Sequence, residues 1–272
     1  MGGLPAQLSR RRRADGVRGV FPGSNALSSG MRRRGVAARL ERLGRHLCAS
    51  GSAAASPELD NVSLEMAGGG VAVLSLDRPP VNSFSAALGR DLVAALEQCA
   101  SDDAVKACVI RSANPKVWSG GLDLSVVFEP DKAEFMELWS AFEAATLAVY
   151  TFPKPTVVAL AGNSPAAGAV LSLHADYRLA AEGTQVGFNE AQLDLALPDW
   201  LMTTAERVVG AKNAERMLQQ GMMMSAAEAA EIGLVDAIAD DHEAVTAAAL
   251  AKAAQLGKIW RAPSTNESAL NL

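Results

Sequence analysis

"KPTVVALAGNSPAAGAVLSLHADYRLA", Lys154 to Ala180, runs an apolar β-branched segment into a turn of small residues, then a helix start, then a second strand-like segment. The first segment is short and continuously apolar, which reads as a buried strand. The same order occurs upstream, where the strand-like "KACVIRS" (106–112) feeds "VWSGGLDL" (117–124). Glycine at such a turn permits φ > 0 or a close approach to bare backbone. A helix start also presents unpaired N–H groups and the positive end of a dipole, which suits an oxygen that gains negative charge during a reaction. For either turn alone, close packing explains the small residues equally well.

The rest of the chain extends the alternation. "VSLEMAGGGVAVLSLD" (62–77) gives two strands around a glycine turn, and "SFSAALGRDLVAALEQCASD" (83–102) gives an amphipathic helix behind a serine cap. "DKAEFMELWSAFEAATLAVYTF" (131–152) is helical, and "YRLAAEGTQVGFNE" (177–190) supplies one or two further strands. Helices then follow at 200–210, 211–221, 225–233 and 242–256. Strands alternating with helices predict an α/β fold without internal repeats.

Composition divides the chain. Residues 1–56 hold 11 Arg, no Lys and only Asp15 and Glu41, whereas the remainder holds 14 basic and 28 acidic residues. The leader reads as a disordered organellar transit peptide, and "GVAARLERLGRHL" (35–47) can form a basic amphipathic helix. A nucleic-acid arm is the weaker reading, because the acidic body repels phosphate. Cys48, Cys99 and Cys108 lack metal spacing, so we expect a reducing compartment, no disulfide framework and no metal. No run approaches the ~20 apolar residues of a membrane helix. Residues 57–257 are expected to form the catalytic domain, and 258–272 a disordered tail.

Together, "RPPVNSFS" (78–85), "VWSGGLDL" (117–124), Lys154–Ala180, "VGFNEAQLDLALPDWL" (186–201), "AERMLQQG" (214–221) and "AAEAAEIGLVDAI" (226–238) resemble the crotonase (enoyl-CoA hydratase/isomerase) superfamily. Within it, the likeness is to the mitochondrial 3,2-trans-enoyl-CoA isomerases. The resemblance implies a ββα spiral core, a coenzyme A thioester as substrate and no separate cofactor. It also implies a homotrimer in the mitochondrial matrix, with plastid or peroxisome as alternatives. Two main-chain amides, of Leu122 and Ala167, are the implied oxyanion donors. Glu190 is the implied base, moving a proton from C2 to C4 of a 3-enoyl thioester. Substrate contacts are implied along Asn82 and Ser83 and along Ser119, Gly120, Gly121, Leu122 and Asp123.

Glu190 also has a bland reading, a carboxylate compensating a helix dipole. The resemblance favours the base, and the apolar residues around it are expected to raise its pKa. Hydratases of the superfamily place a second glutamate where this chain has Val170, which disfavours hydration. Ala167 stands where the family has glycine, and its Cβ is expected to crowd the site if φ there must be positive. His174 and Asp176 read as structural, Phe135, Leu138, Trp139 and Phe142 as core or the wall of an acyl tunnel, and Arg78 and Lys116 as solvated loop charges, with phosphate contact the weaker alternative. The Met222–Met224 cluster reads as gap-filling core or a helix end. The C-terminal helical region is shorter than the family's. A hydratase, a thioester hydrolase and a non-catalytic acyl-CoA binder remain the alternatives.

Overall fold

A computed structural model describes residues 58–128 and 131–259. The expected leader (1–56), its amphipathic helix and the part of the expected tail from residue 260 lie outside the described residues. The two opening strands are β1 (Val62–Ala67) and β2 (Val71–Leu76), joined through a 3-10 turn at Gly68–Gly70. Helix α1 (Ala86–Ser101) starts at Ser85, whose hydroxyl accepts from the Leu88 amide. Then come β3 (Ala107–Ser112), the short α2 (Leu124–Phe128) and α3 (Lys132–Tyr150), which Asp131 caps through the amides of Ala133 and Glu134. Next are β4 (Thr156–Leu160), β5 (Ser164–Pro165), α4 (Ala167–Leu173), β6 (Tyr177–Ala181) and β7 (Gln185–Gly187). The last elements are α5 (Asp199–Val209), α6 (Ala211–Gln219), β8 (Met223–Ser225), α7 (Ala226–Glu231), β9 (Ala237–Ala239) and α8 (His242–Ile259).

Six strands form the main sheet in the order β1-β2-β3-β4-β6-β9. Only the β1–β2 pair is antiparallel, as its tight connection requires, and the other pairs are parallel through helical crossovers. The central strands are buried on both faces, as parallel strands covered by helices must be. Alternation along them splits the core. Leu74, Leu76, Cys108, Ile110, Val158 and Leu160 join one apolar cluster with α1, α3 and α4. Val73, Ala107, Val109, Val157 and Ala159 join a second one with Val245, Ala249 and Ala253 of α8. A smaller sheet, β5-β7-β8, sits where the chain leaves β4.

The structure departs from the sequence reading in three places. Met223–Ser225 is a strand antiparallel to β7 and not a helix end, while Met224 fills the core as the other reading had it. Ala237–Ala239 is a strand on the sheet edge, held by Arg178, whose guanidinium meets the Asp236 carboxylate at 3.0 Å and the Leu234 carbonyl at 3.1 Å. Helix α8 runs through Ile259, two residues into the stretch expected as tail.

Parallel strands carry both small-residue turns to the same edge of the sheet, one after β3 and one after β4. A single parallel bridge, Val117 to Asn163, clips them together. Gly162 makes this possible: a Cβ there would lie 2.4 Å from the Lys116 carbonyl carbon and 2.6 Å from the Val117 nitrogen. Gly162→Ala is therefore expected to force the turns apart and to cost about 1–3 kcal/mol as overpacking, read as a lower urea midpoint at unchanged m-value.

Candidate active site

The turn after β3 is fixed from below by Asn82. Its Nδ2 donates to the Ser112 hydroxyl at 2.8 Å, the Trp118 carbonyl at 3.1 Å and the Leu76 carbonyl at 3.2 Å. Its Oδ1 accepts from the Arg78 amide at 2.7 Å, and its carbonyl accepts from the Ser119 hydroxyl at 2.8 Å. Gly120 donates to the Val81 carbonyl, and Phe84 and Leu122 pair as an isolated parallel bridge. The 118–122 segment is thus bonded to the 81–84 loop along its length. Among the described residues, the Leu122 amide itself finds no acceptor.

The turn after β4 ends in α4, whose first residue is Ala167. As the opening residue of a helix its N–H has no intrahelical partner, and no other described residue accepts it. The residue with positive φ is the preceding one, Ala166, at φ 49° and ψ −122°. The crowding expected at Ala167 therefore does not arise there. The strain sits on Ala166, in a region that L-residues rarely occupy and that persists only where surroundings impose it. Here the Ala166 amide is held by the Gly187 carbonyl at 2.9 Å.

The two turns abut. Gly121, at φ 89°, faces Ala166 so closely that a Cβ on it would lie 3.2 Å from the Ala166 Cβ and 3.9 Å from the Ala167 nitrogen. A Cβ on Gly168 would lie 2.9 Å from that of Ser119. Both glycines therefore serve close packing, and that same packing brings two unpaired amides to one place.

Glu190 opens a 3-10 turn (Glu190–Leu193) just beyond β7. It is 8% exposed, and its Oε2 is buried with no hydrogen-bond partner. Burial pushes its pKa up to about 7, with its own main-chain amide opposing. A dipole-compensating carboxylate would be solvated or bonded to several helix amides; this one is buried, and its own amide is the opposing contact. Val170 is buried in α4 and apolar, so α4 offers no carboxylate at that position.

Other expected contacts change character. Asn82 and Ser119 turn their side chains into the protein and position the turn. Asp123 accepts from Ser125 and meets the Arg78 guanidinium at 3.0 Å; the Ser125 hydrogen bonds above all, and then Arg78, hold its carboxyl below the usual range. Arg78, for which phosphate contact was the weaker reading, bonds Asp123 and the Ser83 carbonyl. Gly120 is exposed, Ser83 is half-buried, and Lys116 is exposed on its loop. Leu138 and Phe142 are core, as the plainer reading had it. Asp176 accepts from the amide and hydroxyl of Thr156. The described residues contain no cluster of metal ligands and no helix long and apolar enough to cross a membrane.

Two abutting strand-to-helix turns and, just past β7, a buried carboxyl oxygen without a hydrogen-bond partner make up the candidate site. Residues 66–270 match the family described as Enoyl-CoA hydratase/isomerase, and the chain belongs to that family. It is 36% identical over 191 residues to the human "Enoyl-CoA delta isomerase 1, mitochondrial", covering 70% of this chain and 63% of that protein. A probable enoyl-CoA hydratase of Mycobacterium avium is 31% identical over 66% of this chain and 70% of its own. The crystal structure of human mitochondrial delta3-delta2-enoyl-CoA isomerase superposes with a TM-score of 0.71 at 35% identity, covering 74% of this chain and 78% of that one. The chain thus spans about three fifths of the mitochondrial isomerases it matches, 63% of the human and 61% of the rat protein.

Desolvation of Glu190 has a measurable cost. Its folded pKa lies above the unfolded value, so its contribution to stability is fully present below about pH 4.5 and is lost as pH rises through about 7. A shift from 4.5 to about 7 corresponds to roughly 3 kcal/mol. Glu190→Gln carries no such loss, so its stability relative to wild type is expected to rise by up to that amount between pH 4.5 and pH 8 in urea unfolding.

Proposed function

We propose that this protein isomerises 3-enoyl-CoA thioesters to trans-2-enoyl-CoA, a step of unsaturated fatty acid β-oxidation. The buried Glu190, with its Oε2 left without a partner, is the observation that carries the reading. As a carboxylate it removes a proton from C2 of the thioester. The electron pair moves through the C3–C4 double bond and the carbonyl, leaving a dienolate whose charge rests on the thioester oxygen. The amides of Leu122 and Ala167 hold that oxygen, each such donor being worth ~100- to 1000-fold in rate. Glu190 then returns the proton to C4, and the double bond comes to lie in conjugation between C2 and C3. The same carboxyl serves both transfers because burial places its pKa close to neutrality, where giving and taking are balanced.

Val170 supports isomerisation over hydration, since a buried valine offers nothing to orient water. The thioester chain is taken to lie along the main chain of Ser119–Leu122, given that the side chains of Asn82 and Ser119 point inward. Likeness to mitochondrial isomerases and the arginine-rich leader support a mitochondrial matrix location. A homotrimer, on the family's pattern, completes the proposal.

Incubation with trans-3-hexenoyl-CoA is expected to raise the absorbance of the conjugated 2-enoyl thioester. The rate should climb with pH through about 7 to a plateau, as the carboxylate form accumulates. Glu190→Gln is expected to lower kcat by about 100-fold or more, in the range of a lost general base. Equal rates for the two proteins, or a hydrated product, would overturn the reading.

A further inference from the structure

Cys99 closes the buried stripe of α1, after Leu88, Leu92, Ala95 and Leu96. Three- and four-residue spacing puts that stripe on one helix face, so the thiol points inward. Cys108 lies near the start of β3, and its side chain falls on the same side of the sheet. Along that strand Ala107 and Val109 turn toward α8, while Cys108 and Ile110 join the apolar cluster that contains Cys99. Cys99 is 1% exposed and Cys108 0%, and both are free thiols.

The two side chains meet: the Cys108 thiol donates a hydrogen bond to the Cys99 sulfur. Separate contacts fix their main chains. The Lys154 ammonium donates to the Cys99 carbonyl at 2.6 Å and to the Asp102 carbonyl at 2.7 Å. The Cys108 amide donates to the carbonyl of Pro155, next along the chain, at 2.8 Å. One dipeptide, Lys154–Pro155, thus holds both cysteines. Sharing a proton makes the sulfurs unequal. The hydrogen bond lowers the Cys99 pKa, against burial and with help from Lys154, and raises that of Cys108, as burial also does. Cys99 is therefore the sulfur that ionises first, and the thiolate is the reactive form. The end of α1 and the turn behind it, residues 101–104, are exposed, so local opening there admits a small oxidant.

We propose that Cys99 and Cys108 form a reversible oxidation site, a thiol pair that hydrogen peroxide converts to a disulfide fastening the end of α1 to β3. The Cys99 thiolate attacks one peroxide oxygen and the O–O bond breaks. The other oxygen leaves as hydroxide, which takes up a proton to become water, and Cys99 is left as a sulfenic acid. The Cys108 sulfur then gives up its proton and attacks the Cys99 sulfur, the S–O bond breaks, and the hydroxyl departs with that proton as a second water. Two thiols have lost two electrons and two protons, and one peroxide has taken them up. Because the cysteines are nine positions apart, the bond closes a short loop and restricts the unfolded chain, which stabilises the folded one. A dithiol reductant reverses the change by thiol–disulfide exchange.

Peptide mapping tests this. The full chain carrying Cys48→Ser, which leaves Cys99 and Cys108 as its thiols, is reduced, treated with hydrogen peroxide, unfolded, alkylated with iodoacetamide and digested with trypsin. Cleavage after Arg90, Lys106 and Arg111 places Cys99 in peptide 91–106 and Cys108 in peptide 107–111. The expected product is these two peptides joined, lighter than their sum by two hydrogen atoms. The melting temperature should rise by about 5–10 °C over the reduced protein, and dithiothreitol should undo both changes. Cys99→Ala and, as a second variant, Cys108→Ala should show no such rise after peroxide. Separate alkylated peptides, or sulfinic and sulfonic acids without the joined product, would overturn the proposal. So would a joined product without a rise in melting temperature, since the bond would then not fit the native fold.

Discussion

An ionisable carboxyl held out of water with no partner is unfavourable, and a fold retains one only where the surrounding structure imposes it. Glu190 comes close to this: its Oε2 is buried without a partner, and its own main-chain amide is the one contact that opposes the cost. It lies just past β7, and β7 is paired on one side to the strand that precedes α4 and on the other to β8. Displacing it would disrupt the small sheet. That sheet also anchors Ala166 through the Gly187 carbonyl, so one small scaffold holds both the carboxyl and one of the two unpaired amides.

The second unpaired amide depends on a different mechanism. Nothing in regular secondary structure fixes the 118–122 segment; the hydrogen bonds of Asn82 do, together with the Gly120 and Phe84 amides. Asn82 is 2% exposed and sits at φ 50°, a left-handed conformation that asparagine tolerates better than most residues. The loop carrying Asn82 is in turn tied to the protein by Arg78 and Asp123. The two amides thus rest on separate supports, joined by the Val117–Asn163 bridge and by close approaches at Gly121–Ala166 and Gly168–Ser119, where small residues are required.

Most of the framework was legible in the sequence because periodicity and capping are local. The Ser85 and Asp131 caps, the glycine turn after β1 and the doubly buried strands all follow from residues within a few positions of one another. β8 and β9 were not legible as strands. Each is three residues long and owes its conformation to a partner: β7 for one, β6 and the Arg178–Asp236 pair for the other. The inward hydrogen bonds of Asn82 were not legible, since its partners lie up to 37 positions away in sequence. The strain at Ala166 had been assigned one residue late, because "PAAG" alone does not say which alanine turns left-handed. Of the α3 residues read as core or tunnel wall, Leu138 and Phe142 are core, whereas Phe135 and Trp139 are half-buried, a split that helical spacing alone does not give.

The account stands on the protonation state of one side chain. With glutamate carboxyl carbons labelled with carbon-13, the Glu190 resonance, identified by its absence in Glu190→Gln, is expected to titrate with a midpoint of about 7. A midpoint in the ordinary range of a solvated glutamate, near ~4.3, would mean that the group is hydrated and paired, and would contradict the claim that it is a desolvated proton carrier.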